Sequence, residues 1–372
     1  MEDDLKKVLS KIAMTIRQLS IEAVQEANSG HPGMPMGCAE LGAYLYGVLL
    51  RHNPRNSKWL NRDRVVLSAG HGSMWLYSCL HLSGFKLPLD EIKRFRQLHS
   101  ITPGHPEYGL TDGVEATTGP LGQGVGNAVG LALGYKLLAA KFNREGFPLF
   151  TNKIYAIAGD GCIMEGISSE ASSFAGHLGL NNLVLIYDSN KVCLDGPLVE
   201  CCSEDTKKRY EAYGWEVFEV DGYDFDAMEK VFSGLQKKQD RPALVILHTV
   251  IGKGSPHKAG SSKVHGSPLG PEELAATKEA LGLPKSRVYE YYFKRIDKEM
   301  VEMVTASISG NMNNIEEDIN ILDEIYKADF IANQQNMSFW SGTYTYPTVQ
   351  RWMVLQMFDY INGSLKESMA RY

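Results

Sequence analysis

Two apolar runs end in short polar stretches that could do chemistry. At 154–161 the sequence reads IYAIAGDG, and at 183–190 it reads LVLIYDSN. Asp160 offers a hard anionic oxygen and Asn190 an amide oxygen, and the backbone just after Asn190 offers a carbonyl. Three such groups make half an octahedron, a shell that magnesium completes with water and phosphate oxygens. Gly159 and Gly161 allow the backbone to approach a ligand, and a helix opening directly after them favours a phosphate at its N-terminus. The pair reads as a Mg2+–diphosphate site. Gly-Asp and Asp-Ser-Asn are also good turn formers, so two unrelated turns are the competing reading. The separation of about thirty residues, the two strands and Asn190 together favour the site.

Four histidines sit in loops rich in glycine and proline: His31 in SGHPG, His71 in AGHGS, His105 in TPGHPE and His265 in VHGSP. Imidazole both donates to hydroxyls and moves protons near neutral pH. An isolated histidine is more often structural, which is the reading for the other six, His52 and His177 among them. Glu165 and Glu170 fall at the start of the expected helix after GDG, where solvated carboxylates favour a helix N-terminus. The stretch IGKGSP at 251–256 resembles a phosphate-binding loop but lacks its full spacing.

These residues need elements to hold them. Strand-like runs recur at 64–69, 153–159, 183–188, 215–220 and 242–250, separated by helical stretches such as 122–146 and 225–237. Near-continuous apolar strands alternating with helices predict an α/β fold, a parallel sheet with helices on both faces. Ligands bind such sheets in the loops at the carboxyl ends of the strands. The composition shifts beyond the first part: every histidine lies at or before His265, every cysteine at or before Cys202, and only Gly310, Gly342 and Gly363 follow Leu283. We therefore expect residues 1–285 to carry the chemistry and 286–372 to form a mostly helical C-terminal segment.

GDG followed by Asn about thirty residues later resembles the thiamine diphosphate (ThDP) fingerprint. The stretch GDGCIMEGISSEASSFAGHLGLNNLVLIYDSN is similar to its transketolase version, as are SGHPGMPMG at 29–37, VVLSAGHGSMWLYS at 65–78, TPGHPE at 102–107, GVEATTGPLGQG at 113–124, RYEAYGWEV at 209–217 and VHGSPLG at 264–270. The resemblance covers roughly residues 5–285, the family's diphosphate-binding domain, and implies the ThDP-binding fold. It implies that Asp160, Asn190 and the Val192 carbonyl hold a divalent metal, Mg2+ or else Ca2+ or Mn2+. It implies that Gly119, Leu121 and Gly161 line ThDP, with Asn190, His71 and His265 also at the cofactor. His31, His105 and His265 would contact the donor ketose, and His71 would lie against the diphosphate and the reacting centre. Glu165 would join a carboxylate network at a dimer interface. Cys193, close to the metal loop, is expected to be a small core thiol.

The resemblance implies transfer of a two-carbon ketol unit from a ketose phosphate to an aldose phosphate, a transferase reaction of the pentose phosphate pathway. After about residue 285 neither the family's pyrimidine-binding domain nor its C-terminal domain is recognised. The expected protein is thus a diphosphate-binding subunit needing a partner, as a homodimer or a heterotetramer. A non-catalytic cofactor-binding module and a dihydroxyacetone synthase-like enzyme remain the alternatives.

Composition sets the outer limits. A net charge of −6 argues against nucleic-acid binding, because phosphate-tracking surfaces are strongly basic. No apolar run approaches the ~20 residues that span a bilayer, and the charged start MEDDLKKVLSK is unlike a signal peptide. Six cysteines without a CxxC pair read as reduced thiols of a cytoplasmic protein.

Overall fold

The computed structural model describes residues 1–285. Each of the five apolar runs forms a strand: β1 Arg64–Leu67, β2 Ile154–Gly159, β3 Leu183–Ser189, β4 Glu216–Asp221 and β5 Ala243–His248. All pair in parallel, in the order β1-β2-β3-β5-β4. The inner strands β2, β3 and β5 are buried along almost their whole length, as a sheet covered on both faces requires, whereas in the edge strand β4 only Val220 is buried.

Eleven α-helices surround this sheet among the described residues. Before β2 come α1 Asp3–Glu26, α2 Gly33–Gly37, α3 Ala39–Tyr44, α4 Ser73–Leu82, α5 Leu89–Lys93 and α6 Gln123–Phe142. Then follow α7 Asp160–Met164, α8 Gly166–His177, α9 Thr206–Ala212, α10 Phe225–Lys237 and α11 Pro271–Ala280. Side chains alternate across the sheet, so Tyr155 and Tyr187 leave opposite faces. Tyr155 accepts a hydrogen bond from Gln236 of α10, and Tyr187 donates to Asp160 at the other face. The helical segment expected over 286–372 lies outside the described residues, and no helix among the described residues is long and apolar enough to cross a membrane.

Helix α1 is amphipathic in its first half; from Thr15 to Val24 it is buried all round. Its charged residues there are paired, Arg17 with Glu40 at 2.5 Å and Glu22 with Lys278 of α11. The helix expected after GDG is two helices, because Glu165 takes an extended conformation (ψ 141°) between α7 and α8. α7 has only five residues, so the anion-favouring field of a long helix does not operate at Gly161.

Two cores hold these layers. The main one packs the sheet against α1, α3, α4, α6 and α10, with Trp75 fully buried and its indole N–H donating to the Cys38 carbonyl at 2.7 Å. A smaller one gathers Ile21, Met36, Val192, Ile251, Val264 and Leu269, tying α1 and α2 to the loops that follow β3 and β5. A buried ionic knot fixes the start of β1. Arg62 and Arg64, each 5% exposed, converge on the Glu115 carboxylate, which Arg64 meets at 3.2 Å. Their other partners, the Ser57, Asp63, Trp59 and Leu60 carbonyls and the Tyr135 hydroxyl, are neutral, so Glu115 supplies the countercharge for both guanidiniums. Glu115→Ala should therefore destabilise the protein by ~3–5 kcal/mol, read from urea unfolding. A loss below ~1 kcal/mol would show that water reaches these arginines.

Candidate functional site

The loops at the carboxyl ends of β1, β2, β3 and β5 meet at one edge of the sheet. After β1 the chain makes a tight 3₁₀ turn, Gly70–Gly72, that presents His71. A Cβ on Gly70 would lie 2.6 Å from the Thr118 hydroxyl and 2.9 Å from the Gly119 nitrogen, so only glycine lets this turn press against the 118–121 loop. His31 stands just before α2, His105 in the loop after α5, and His265 at the end of a 3₁₀ turn, Ser262–Val264. Their rings cluster. The centroid of His31 lies 5.2 Å from His71, 6.2 Å from His105 and 5.8 Å from His265, and His71 stacks on His265 at 5.0 Å. Four histidines spread over 235 positions of sequence thus form one cluster.

Burial makes these imidazoles poor bases. His71 is pushed down to about 3, first by desolvation and then by His265 and its other ring neighbours. His31 falls to about 4 for the same reason, with His265 and Arg96 adding to the effect. His265 is lowered by burial, and the exposed His105 by partial burial and Arg96. All four are therefore neutral at pH 7, each with one nitrogen to donate and one to accept. His265 Nδ1 is buried and has no partner.

The second half of the site surrounds Asp160, which is 3% exposed. Its Oδ1 accepts from the Tyr187 hydroxyl, while Oδ2 is buried without a partner. Burial raises this carboxyl to about 6, Tyr187 opposes the shift and Asp188 adds to it. Asn190 donates through Nδ2 to Asp188 at 2.8 Å, and its Oδ1 accepts the Val192 N–H at 3.1 Å. Lys191 between them takes a left-handed conformation (φ 63°), which bends the chain back. The Val192 side chain anchors this loop in the smaller core.

Gly161 and Leu121 adjoin: a Cβ on Gly161 would lie 2.9 Å from Leu121 Cδ1. Gly119 faces the His105 ring at 3.5 Å by the same measure. Gly159, by contrast, has open space where a Cβ would stand, so its smallness serves no close approach within this chain. Glu165 is exposed, although Gly122 comes within 2.8 Å of its Cβ by that construction. The histidines read as incidental behave accordingly where they are packed: His52 is buried, stacked on Phe85 and held by the Leu50 carbonyl. Cys193 is half-buried in the loop after β3 rather than in either core.

Two residues escaped the sequence reading. Arg96, in a left-handed conformation (φ 61°), donates to Ser29 at 2.9 Å and to His31 Nδ1 at 3.4 Å. Tyr187 looked like one more apolar strand residue, yet its hydroxyl grips Asp160. No spacing signal marked either one. A cavity of about 570 Å3 also opens beside Asp160, lined by Tyr187, Ser189, Lys191, Lys207 and His248 among others. None of the four clustered histidines lines it.

The residues fit a metal-bound diphosphate. An unpartnered, buried carboxylate oxygen suits a cation, and the unpartnered His265 nitrogen suits a polar ligand. No group of three or more His, Cys, Asp or Glu side chains among the described residues is placed to hold a metal, so a shell here needs amide or carbonyl oxygens as well.

Comparison with known proteins identifies the family. Residues 8–335 match the family model described as the transketolase thiamine diphosphate-binding domain. A transketolase of Treponema pallidum is 53% identical over 279 residues, 75% of this chain and 42% of that protein. Transketolase 1 of Vibrio parahaemolyticus is 55% identical over 272 residues, 73% of this chain and 41% of that protein. The chain thus spans about two fifths of the length of these curated relatives. Among solved structures, Leishmania mexicana transketolase superposes with a TM-score of 0.81 at 39% identity, covering 88% of this chain and 49% of that one. Pichia stipitis transketolase in complex with sedoheptulose 7-phosphate gives 0.81 at 38% identity, covering 95% and 49%. The chain belongs to the transketolase family, and what it matches there is the thiamine diphosphate-binding domain.

Proposed function

We propose that the chain is the diphosphate-binding component of a transketolase that moves a two-carbon ketol unit from a ketose phosphate to an aldose phosphate. The observation that carries this reading is the convergence of four neutral imidazoles at the same carboxyl edge of the sheet that holds an unpartnered buried carboxylate oxygen. A site that merely held a cofactor would need the carboxylate but not the four rings.

Asp160, Asn190 and the Val192 carbonyl would hold Mg2+, or Ca2+ or Mn2+ in its place, and Gly119, Leu121 and Gly161 would cradle ThDP. ThDP, when bound, supplies the carbanion that breaks and forms the carbon–carbon bond. This chain's residues do the rest. Tyr187 holds Asp160 in one rotamer, leaving Oδ2 to face the cation. His31, His105 and His265 bind and orient sugar hydroxyls, and His71 meets the diphosphate and the reacting centre. Each neutral ring offers a hydroxyl one donor and one acceptor nitrogen. The sugar-phosphate substrate class agrees with the bound ligand of the Pichia stipitis relative.

A pyrimidine-binding domain from another chain or segment would complete the site, in a homodimer or a heterotetramer. Supporting this, Met164, Ile167, Phe174 and Leu178 around α8 and Leu137 on α6 are exposed apolar residues, and α6 and α8 pack together. Glu165 lies in the same patch, where it would meet a partner.

In the assembled enzyme, Asp160→Ala should weaken Mg2+-dependent ThDP binding by more than ~100-fold, since even groups that only hydrogen-bond to metal ligands are worth ~10–100-fold. Calorimetric titration with and without EDTA checks this, and unchanged affinity would remove Asp160 from the metal site. Tyr187→Phe should cost ~10–100-fold in Mg2+ affinity while the sheet stays folded by circular dichroism. An unaltered affinity would make Tyr187 a bystander.

The histidine cluster gives a pH prediction. Unfolded histidines take up protons near the ordinary value of 6.5, but folded His31 and His71 do so only near 4 and 3. Between those values the unfolded state binds more protons, so this contribution is full above pH 6.5 and is lost as pH falls toward 3. The urea midpoint should fall from pH 7.5 to pH 5, and less steeply in His71→Gln. An equal slope in both proteins would show that His71 is not buried as a neutral ring.

A further inference from the structure

The loop that follows β3 carries three of the six cysteines within ten positions, Cys193, Cys201 and Cys202. It folds as a short hairpin. Val192 bridges Pro197 in antiparallel fashion, the Cys193 N–H donates to the Gly196 carbonyl at 2.9 Å, and the Leu198 N–H donates to the Lys191 carbonyl at 2.9 Å. The outgoing arm begins at Asn190 and Val192. The returning arm ends where the Cys201 and Cys202 N–H groups both donate to the Leu198 carbonyl, at 3.0 and 2.9 Å. This closure places Cys201 Sγ 3.7 Å from Cys193 Sγ, across the two arms. Cys201 is exposed and Cys193 half-buried, so a reagent in solution reaches the first and not readily the second. Lys191, Leu198 and Cys202 of the same hairpin roof the cavity that reaches Asp160.

We propose that Cys193 and Cys201 are a thiol-oxidation site, a reversible disulfide that ties the two arms of the 190–202 hairpin together beside the metal ligands. The oxidant is a low-molecular-weight disulfide. The Cys201 thiolate attacks one of its sulfurs, forming a mixed disulfide and releasing one small thiol. Cys193 then loses its proton, attacks the Cys201 sulfur and displaces the second small thiol. Two protein thiols are oxidised by two electrons, one small disulfide is reduced to two thiols, and the two protons end on those thiols. A vicinal Cys201–Cys202 link is disfavoured because both residues donate to one carbonyl and hold the backbone in a turn.

Oxidation would narrow the range of positions open to Asn190 and Val192 and so pre-organise the metal loop. This consequence rests on the metal assignment made above; formation of the bridge does not.

The test treats the full chain with oxidised glutathione, then maps thiols by alkylation and mass spectrometry. Proteolysis after Glu200 separates Cys193 from Cys201. The expected result is loss of two thiols, a 193–201 cross-link that dithiothreitol reverses, the same cross-link in Cys202→Ser, and only a glutathione adduct on Cys201 in Cys193→Ser. A stable adduct without a cross-link in the parent protein, a 201–202 link, or no thiol loss would each overturn the proposal. In the bridged protein Mg2+-dependent ThDP binding should tighten about threefold or more through pre-organisation. A formed bridge with unchanged ThDP affinity would overturn the coupling. Retained ThDP binding in Asp160→Ala would overturn the metal assignment instead, leaving the cross-link map to stand or fall by itself.

Discussion

The constraint on which the rest depends is close backbone approach at the carboxyl edge of the sheet. Loops from β1, β2, β3 and β5 must share a small volume, and side chains on their crossing points would hold them apart. Gly70 and Gly124 show the margin: a Cβ on Gly124 would lie 2.4 Å from the Ser68 backbone, as one on Gly70 would from Thr118 at 2.6 Å. Gly33 plays this part on the other side, where a Cβ would collide with Ile251 and the Val264 carbonyl. These contacts bring His71 to the 118–121 loop and His31 to the loop that carries His265. Polar function follows from packing that glycine alone permits.

Convergence then does the electrostatic work. Burial lowers every one of the four imidazoles, and for His31 and His71 the neighbouring rings add to it, so the cluster stays neutral where a solvated histidine would be partly charged. Asp160 shows the converse. Burial raises its carboxyl, Tyr187 restrains one oxygen and the other stays without a partner. A buried carboxylate oxygen without a hydrogen-bond partner carries a desolvation cost that a cationic ligand would offset. The smaller core links these two halves, because Val192 of the loop after β3 and Val264, next to His265, pack into it together. Exposing it would loosen both sides of the site at once.

The sheet was legible because a parallel strand covered on both faces leaves an unbroken apolar run, and all five runs became strands. The grouping of His31, His71, His105 and His265 was legible through the loops that hold them. What escaped is what periodicity does not encode. Glu165 breaks the helix after GDG with no proline to announce it, which leaves α7 too short to act as an anion site. Arg96 reaches His31 only because of a left-handed backbone turn, and Tyr187 differs from its apolar neighbours by one hydroxyl. Cys193 belongs to an exposed hairpin whose closure a linear reading does not reveal. Glu115 lies inside a quoted motif but serves the fold, as the carboxylate between two buried arginines.

The most direct test of the account is a crystal structure of the protein grown with ThDP and Ca2+. The account predicts the cation on Asp160 Oδ2, the Asn190 amide oxygen and the Val192 carbonyl, with the diphosphate against Gly119, Leu121 and Gly161 and within reach of His71 and His265. A diphosphate seated instead in the recess lined by Lys191, Lys207 and His248, or a cation bound away from Asp160, would contradict it.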